Sequence, residues 1–73
     1  MMHEVVLRVH PAAGGWWVDC DLPLEKTYFR SGARAEAVAR SLAIHLSGAG
    51  HDVRLMVRDR GDQVVATHRY FAI

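Results

Sequence analysis

The amino-acid sequence predicts an α+β domain in which one helix packs on one face of a small, antiparallel-rich sheet of four to five strands, in the order ββ(β)αββ. Two observations carry this prediction. Segments in both halves of the chain alternate apolar and polar residues, as half-buried strands do, and residues 34–46 between them have the periodicity of an amphipathic helix. Because one helix covers only one face of a sheet, the other face, called the open face below, meets water or a partner.

The first half of the chain predicts a hairpin and a short third strand. Residues 4–10 alternate, with Val5, Leu7 and Val9 on one side, and Pro11 ends this strand. Turn residues follow as far as Gly15, and residues 16–21 form the second strand of the hairpin. Residues 26–30 are rich in aromatic and β-branched side chains, which predicts the third strand.

The helix has recognisable ends. Ser31 is a suitable N-cap, and Gly48 and Gly50 can each adopt the left-handed conformation that follows a helix. One stripe of the helix faces the sheet, and half of its side chains are small, which allows a close approach: Ala35, Val38, Ala39, Leu42, Ala43 and Leu46.

The second half of the chain predicts another hairpin. Residues 52–58 alternate cleanly, residues 59–62 have turn chemistry, and residues 63–71 form the last strand. Val64, Ala66 and Tyr70 are expected to face inward. Strict alternation would also turn His68 inward, so we expect a bulge or bend after Thr67. The predicted core contains Val5, Leu7, Val9, Trp16, Val18, Phe29, Val38, Leu42, Leu46, Val53, Leu55 and Val57.

Composition restricts the class of protein. We expect one domain over residues 1–73, and a core of this size is only marginally stable, which favours self-association as a dimer. The 51% hydrophobic content excludes intrinsic disorder, and no apolar run is long enough to span a membrane. The N-terminus lacks signal-peptide features and Cys20 is the single cysteine, so we expect a cytoplasmic protein.

Catalytic chemistry has no support in the sequence. No nucleophile with a base, carboxylate pair in a cleft or phosphate-binding loop appears, so we expect no catalytic residues and no enzyme. The five histidines, from His3 to His68, lie in different predicted elements and never at helical chelating spacing. We therefore expect neither a metal nor a cofactor. Asp19 and Asp21, two residues apart on a strand, are better placed to oppose an arginine across strands.

The open face carries the candidate partner-binding residues. Arginines dominate it, and aromatic and apolar side chains accompany them: Arg8, Trp17, Arg54, Met56, Arg58, Val65 and Arg69. Such a set suits a protein interface, and it also suits single-stranded nucleic acid, with bases on rings and guanidinium groups on phosphates. An ordinary solvated face with cross-strand ion pairs is a further interpretation.

Two details favour a protein partner. Val6, Trp17, Met56 and Val65 would form an apolar patch that a small monomer has little reason to expose. The net charge of only +1 gives nucleic acid no general attraction. We therefore expect a non-enzymatic protein-interaction module, homodimeric, that uses the open face or an edge strand. The alternative is a small nucleic-acid-binding protein that uses the arginines and Trp17.

Some sequence features resemble known families. Gly15-Trp16-Trp17-Val18, Tyr28-Phe29-Arg30-Ser31, the alanine-rich helix and Asp59-Arg60-Gly61 resemble small bacterial domains of unknown function that consist of a hairpin, a helix and a hairpin. The chain is also similar to antitoxins with an open sheet beside one helix, which bind a toxin and often dimerise. The DNA-binding extension of many such antitoxins is missing here. The resemblance thus implies a bacterial protein-binding domain and supplies no catalytic residues.

Overall fold

The fold agrees with the predicted class and element order. The computed structural model describes residues 4–73, so the first three residues of the predicted domain lie outside the described part. The elements are β1 (Val5–Ala12), β2 (Gly15–Cys20), β3 (Thr27–Phe29), α1 (Gly32–Gly48), β4 (Val53–Arg58) and β5 (Val64–Tyr70). The five strands form one mixed sheet in the order β3-β2-β1-β4-β5, with α1 packed on one face.

The two hairpins meet at the centre of the sheet. Both are antiparallel, as is the β2–β3 pair, whereas β1 and β4 are parallel because α1 carries the chain across the sheet between them. The central position of β1 and β4 explains their burial. Their inward side chains form most of the core: Val5, Leu7, Val9, Val53, Leu55 and Val57.

The β1–β2 hairpin is longer than the sequence predicted. Pro11 does not end β1, because it pairs with Trp16, and the strand continues to Ala12. A proline fits here because β1 pairs with β4 only as far as Val9. Beyond that point no neighbouring strand on the β4 side needs the backbone N–H that proline lacks.

The helix has the predicted caps, but the set of side chains that it buries differs from the predicted stripe. Ser31 Oγ accepts a hydrogen bond from Arg34 N at 3.2 Å, and Gly50 adopts a φ of 98° after the C-cap. The helix extends at both ends beyond residues 34–46. Its buried side centres on Ala35, Ala39 and Ala43, so Val38, predicted in the core, is 37% exposed. Trp16, Phe29 and Leu42 pack on the core but are only partly buried.

The last strand differs most from its prediction. The register irregularity lies between Val57 and Arg58, where Arg58 pairs with Val64, and none follows Thr67. His68 therefore does lie on the helix side, opposite Leu55, and is half-buried. Val64 is exposed rather than inward. The edge position of β5 makes this possible, because a histidine there can keep contact with water.

Candidate functional site

Cross-strand register places the candidate residues on the open face. Arg8 pairs with Asp19 on one side and with Met56 on the other. Trp17 lies between His10 and Tyr28. Arg54 and Arg69 pair directly, while Arg58 and Val65 lie at the irregular end of the β4–β5 hairpin. The predicted residues therefore spread over four strands of the sheet and do not converge on one cleft.

Asp19 is the centre of a charged cluster on this face. Its Oδ1 accepts a hydrogen bond from Arg8 Nη1 at 3.0 Å, and its Oδ2 lies 2.6 Å from His10 Nε2. Burial alone would raise the pKa of Asp19, but the hydrogen bonds and charges of His10 and Arg8 outweigh it and hold the pKa below the ordinary 3.8. The predicted cross-strand ion pair of Asp19 is thus present, with His10 as an additional partner.

The other arginines of the face also meet carboxylates. Glu4 forms an ion pair with Arg54 at 3.1 Å and lies 3.7 Å from Arg69, so it bridges β4 and β5. Arg58 pairs with Asp62 at 3.2 Å. All four candidate arginines therefore lie within ion-pair distance of a carboxylate of the same chain, Glu4 being shared by Arg54 and Arg69. A phosphate backbone would have to compete with these partners for each guanidinium group.

Trp17 belongs to a separate aromatic group. Its ring meets Tyr28 edge to face, with centroids 5.5 Å apart, and Lys26 Nζ lies 4.5 Å from the Trp17 centroid. Tyr28 Oη donates a hydrogen bond to Ala13 O at 3.2 Å, which fixes the ring over the hairpin turn. This group places two aromatic rings, nearly perpendicular to each other, beside one cation.

The outer edge of β5 is open. Within the described chain this strand pairs only with β4, and no backbone hydrogen bond reaches its other side. Val64 and Val65 are 44% and 60% exposed, and Phe71 beyond the strand is also exposed. A seven-residue edge with exposed apolar side chains can pair with another strand.

Sequence reasoning missed Arg60. Its Nη1 donates to Gly15 O at 2.5 Å and its Nη2 to Ala12 O at 3.1 Å, while the guanidinium stacks 4.9 Å above the Trp16 ring. The β4–β5 loop is thereby fastened to the turn of the first hairpin. No local pattern could reveal this contact, because it joins loops 45 residues apart in sequence.

The described residues, 4–73, contain no cluster of side chains suited to a metal ion. No three His, Cys, Asp or Glu side chains in this range lie close enough together to hold a metal ion, and His3 lies outside it. A shallow depression on the exposed side of α1, lined by Ala33, Glu36, Ala37 and Arg40, contains an ordinary helical ion pair. None of the helices described could cross a membrane.

Comparison with protein-family models, curated proteins and solved structures finds no match to this chain. The hairpin, helix, hairpin layout agrees with what the sequence resemblance implies about the fold.

Proposed function

We propose that the chain is a non-enzymatic protein-interaction module, homodimeric, that binds a protein partner through the open side of its sheet. The observation that carries this proposal is the pairing of every candidate arginine with a carboxylate of the same chain, through Asp19, Glu4 and Asp62. Arginines in such pairs keep much of their surface accessible, and each has its charge partly offset by a nearby carboxylate. They suit hydrogen bonding to a protein surface better than neutralisation of a phosphate chain.

The apolar side chains beside the ion pairs support the same proposal. Trp17, Met56 and Val6 are half-buried on the open face between its ion pairs, and Val65 is exposed at its border. Apolar and aromatic side chains interspersed with arginines are common at protein interfaces. Aromatic residues and arginines also contribute most of the binding energy in such interfaces.

The proposal is tested by affinity capture from native cells with the tagged chain, followed by mass spectrometry and a nucleic-acid assay. We expect a specific protein partner whose recovery survives nuclease treatment and falls in the Trp17→Ala variant. The matched control is Ile44→Ala, which removes an exposed apolar side chain from α1, on the other side of the sheet. Loss of capture after nuclease, or equal loss in both variants, would count against the proposal.

A small nucleic-acid-binding function is the second candidate. The observation that favours it is the Trp17–Tyr28 pair with Lys26 beside it, which could stack on bases near a phosphate. This function requires binding of a single-stranded oligonucleotide that weakens steeply with salt and is lost in Trp17→Ala. An affinity that ignores salt would exclude it.

A further inference from the structure

We infer that the partner in the homodimer is a second copy paired antiparallel along β5, with Thr67 on the twofold axis, so that the two sheets join into one. This inference rests on the proposed function, because it names the surface by which the proposed homodimer forms. It starts from the edge of β5, whose outer backbone groups have no partner within residues 4–73.

The edge of β5 has little of the usual protection against pairing. Natural edge strands are shortened, covered, twisted away by a bulge, or carry proline or charged side chains, above all lysine. β5 has seven residues and contains neither proline nor lysine, and its charged side chain is Arg69. Its register irregularity lies at Val65, which the pairing with β4 skips, whereas residues 66–70 pair regularly. The opposite edge of the sheet, β3, is only three residues long. The sheet is therefore protected at β3 and open at β5.

Symmetry favours the β5 strand of a second copy as the partner of this free edge. Antiparallel strands present complementary alternating N–H and C=O groups, so a strand edge can pair with its own copy. Pairing of β5 with β3 of another copy would use only three residues and would leave a free β5 at the far end, which leads to open-ended assembly. Pairing of β5 with β5 uses both free edges and closes at two copies.

Side-chain chemistry selects the register. Rotation about an axis perpendicular to the sheet keeps each side chain on its own face, and the register centred on Thr67 spans the whole of β5. It places Thr67 against its own copy, a favourable cross-strand pair. Val65 then lies against Arg69 of the second copy, and the small Ala66 against His68. Centring on Arg69 or His68 instead would oppose like cations or two imidazoles.

The dimer joins the functional surfaces as well as the edges. A twofold axis perpendicular to the sheet puts both copies of α1 on one side and both open faces on the other. The two open faces then form one continuous surface of ten strands, twice the five strands of one chain. A protein partner would meet two identical sites side by side, which raises its apparent affinity if it can contact both.

Cysteine crosslinking tests the register. In a Cys20→Ser background, Thr67→Cys places two thiols on directly opposed residues, whose Cα atoms lie about 4.5 to 5.5 Å apart in antiparallel pairs, within disulfide range. Arg69→Cys is the matched control, because in this register its two copies lie about 13 Å apart along the strands. We expect a disulfide-linked dimer from Thr67→Cys alone under mild oxidation. Crosslinking of Arg69→Cys instead would overturn the register.

Charge substitutions at Val65 test the same pairing in solution. Val65→Lys would bring a lysine against Arg69 of the second copy and should raise the dimer dissociation constant at least about tenfold, whereas Val65→Glu should retain the dimer. Ile44→Lys, at an equally exposed position on α1, should leave it unchanged. Light scattering gives the mass, and thermal melting followed by circular dichroism verifies that each variant is folded.

The outcomes separate this inference from the proposed function. A dimer that gives no Thr67→Cys crosslink, or that Val65→Lys leaves intact, would overturn the β5 interface and leave the protein-binding function standing. A wild-type monomer at micromolar concentration would overturn the inference and the homodimer together. A crosslinked dimer that captures no protein would support the inference and contradict the protein-binding function.

Discussion

At the scale of single residues, Asp19 connects two side chains of the neighbouring strand. It contacts Arg8 and His10 on β1, and its side chain is only 24% exposed. Its lowered pKa means that the folded state favours the carboxylate form. The stabilisation is therefore fully present above the unfolded pKa near 3.8 and disappears as the pH falls through the lower folded value.

Asp19→Asn should lower the free energy of unfolding by about 1 to 2 kcal/mol at pH 7, because it removes the charge that two donors share. Urea unfolding measured from pH 7 down to pH 2 checks this, and the difference from wild type should vanish at the acid end. Asp62→Asn is the control, since Asp62 pairs with Arg58 at the end of the sheet and is mostly exposed. An equal effect of both substitutions would contradict the central role of Asp19.

The sequence predicted the ion pair of Asp19 with an arginine but not its contact with His10. An aspartate on the polar side of a strand, with arginines on the same face, predicts a cross-strand ion pair. The participation of His10 depends on hairpin register, and that register follows from continuation of β1 through Pro11 to Ala12. A proline normally indicates the end of a strand, so Pro11 led to a wrong prediction of where β1 ends. The sequence around Arg60 gives no indication of its contacts, because its partners lie in the distant turn of the first hairpin.

At the scale of elements, alternation predicted β1, β2 and β4 well because each has one side in the core. β5 lies at an edge, where half-burial removes the penalty for a histidine on the helix side, so alternation no longer determined its register. The helix stripe failed at Val38 for a related reason. Three alanines bring α1 close to the sheet, and the larger valine lies beside the contact instead of within it.

The β1–β2 turn depends on a glycine at its closing position. A Cβ at Gly15 would lie 2.5 Å from Tyr28 Oη and would also collide with the backbone oxygen of Phe29. Gly15→Ala should therefore displace β3 and cost about 1 to 3 kcal/mol of unfolding free energy. Amide exchange should show lost protection over Thr27–Phe29.

Gly48→Ala is the matched control for this substitution. Gly48 is the last residue of α1, and a Cβ there would meet nothing within 4 Å. Alanine loses less conformational entropy than glycine in a helix, so this variant should be more stable by about 0.5 to 1 kcal/mol. If both alanine variants lost stability alike, crowding by Tyr28 and Phe29 would not be the cause at Gly15.

At the scale of the whole molecule, stability depends on a small core. Leu7 and Leu55 are its largest fully buried side chains. A core of this size supplies only about 3 to 5 kcal/mol, and truncation of a buried leucine to alanine costs about 2 to 5 kcal/mol. Leu55→Ala should therefore leave the chain largely unfolded at 25 °C by circular dichroism. Leu24→Ala, at a position that is 51% exposed, should melt like wild type.

The central place of β1 also affects how the chain is made. Within this chain β1 is synthesised before every other element, yet its parallel partner, β4, begins only at Val53. Val5, Leu7 and Val9 therefore cannot pack beside β4 until most of the chain has been synthesised. Long-range pairing of this kind closes slowly, and exposed apolar strands are prone to aggregate meanwhile. β1, the central strand of the folded sheet, is therefore also the strand most exposed to aggregation during synthesis.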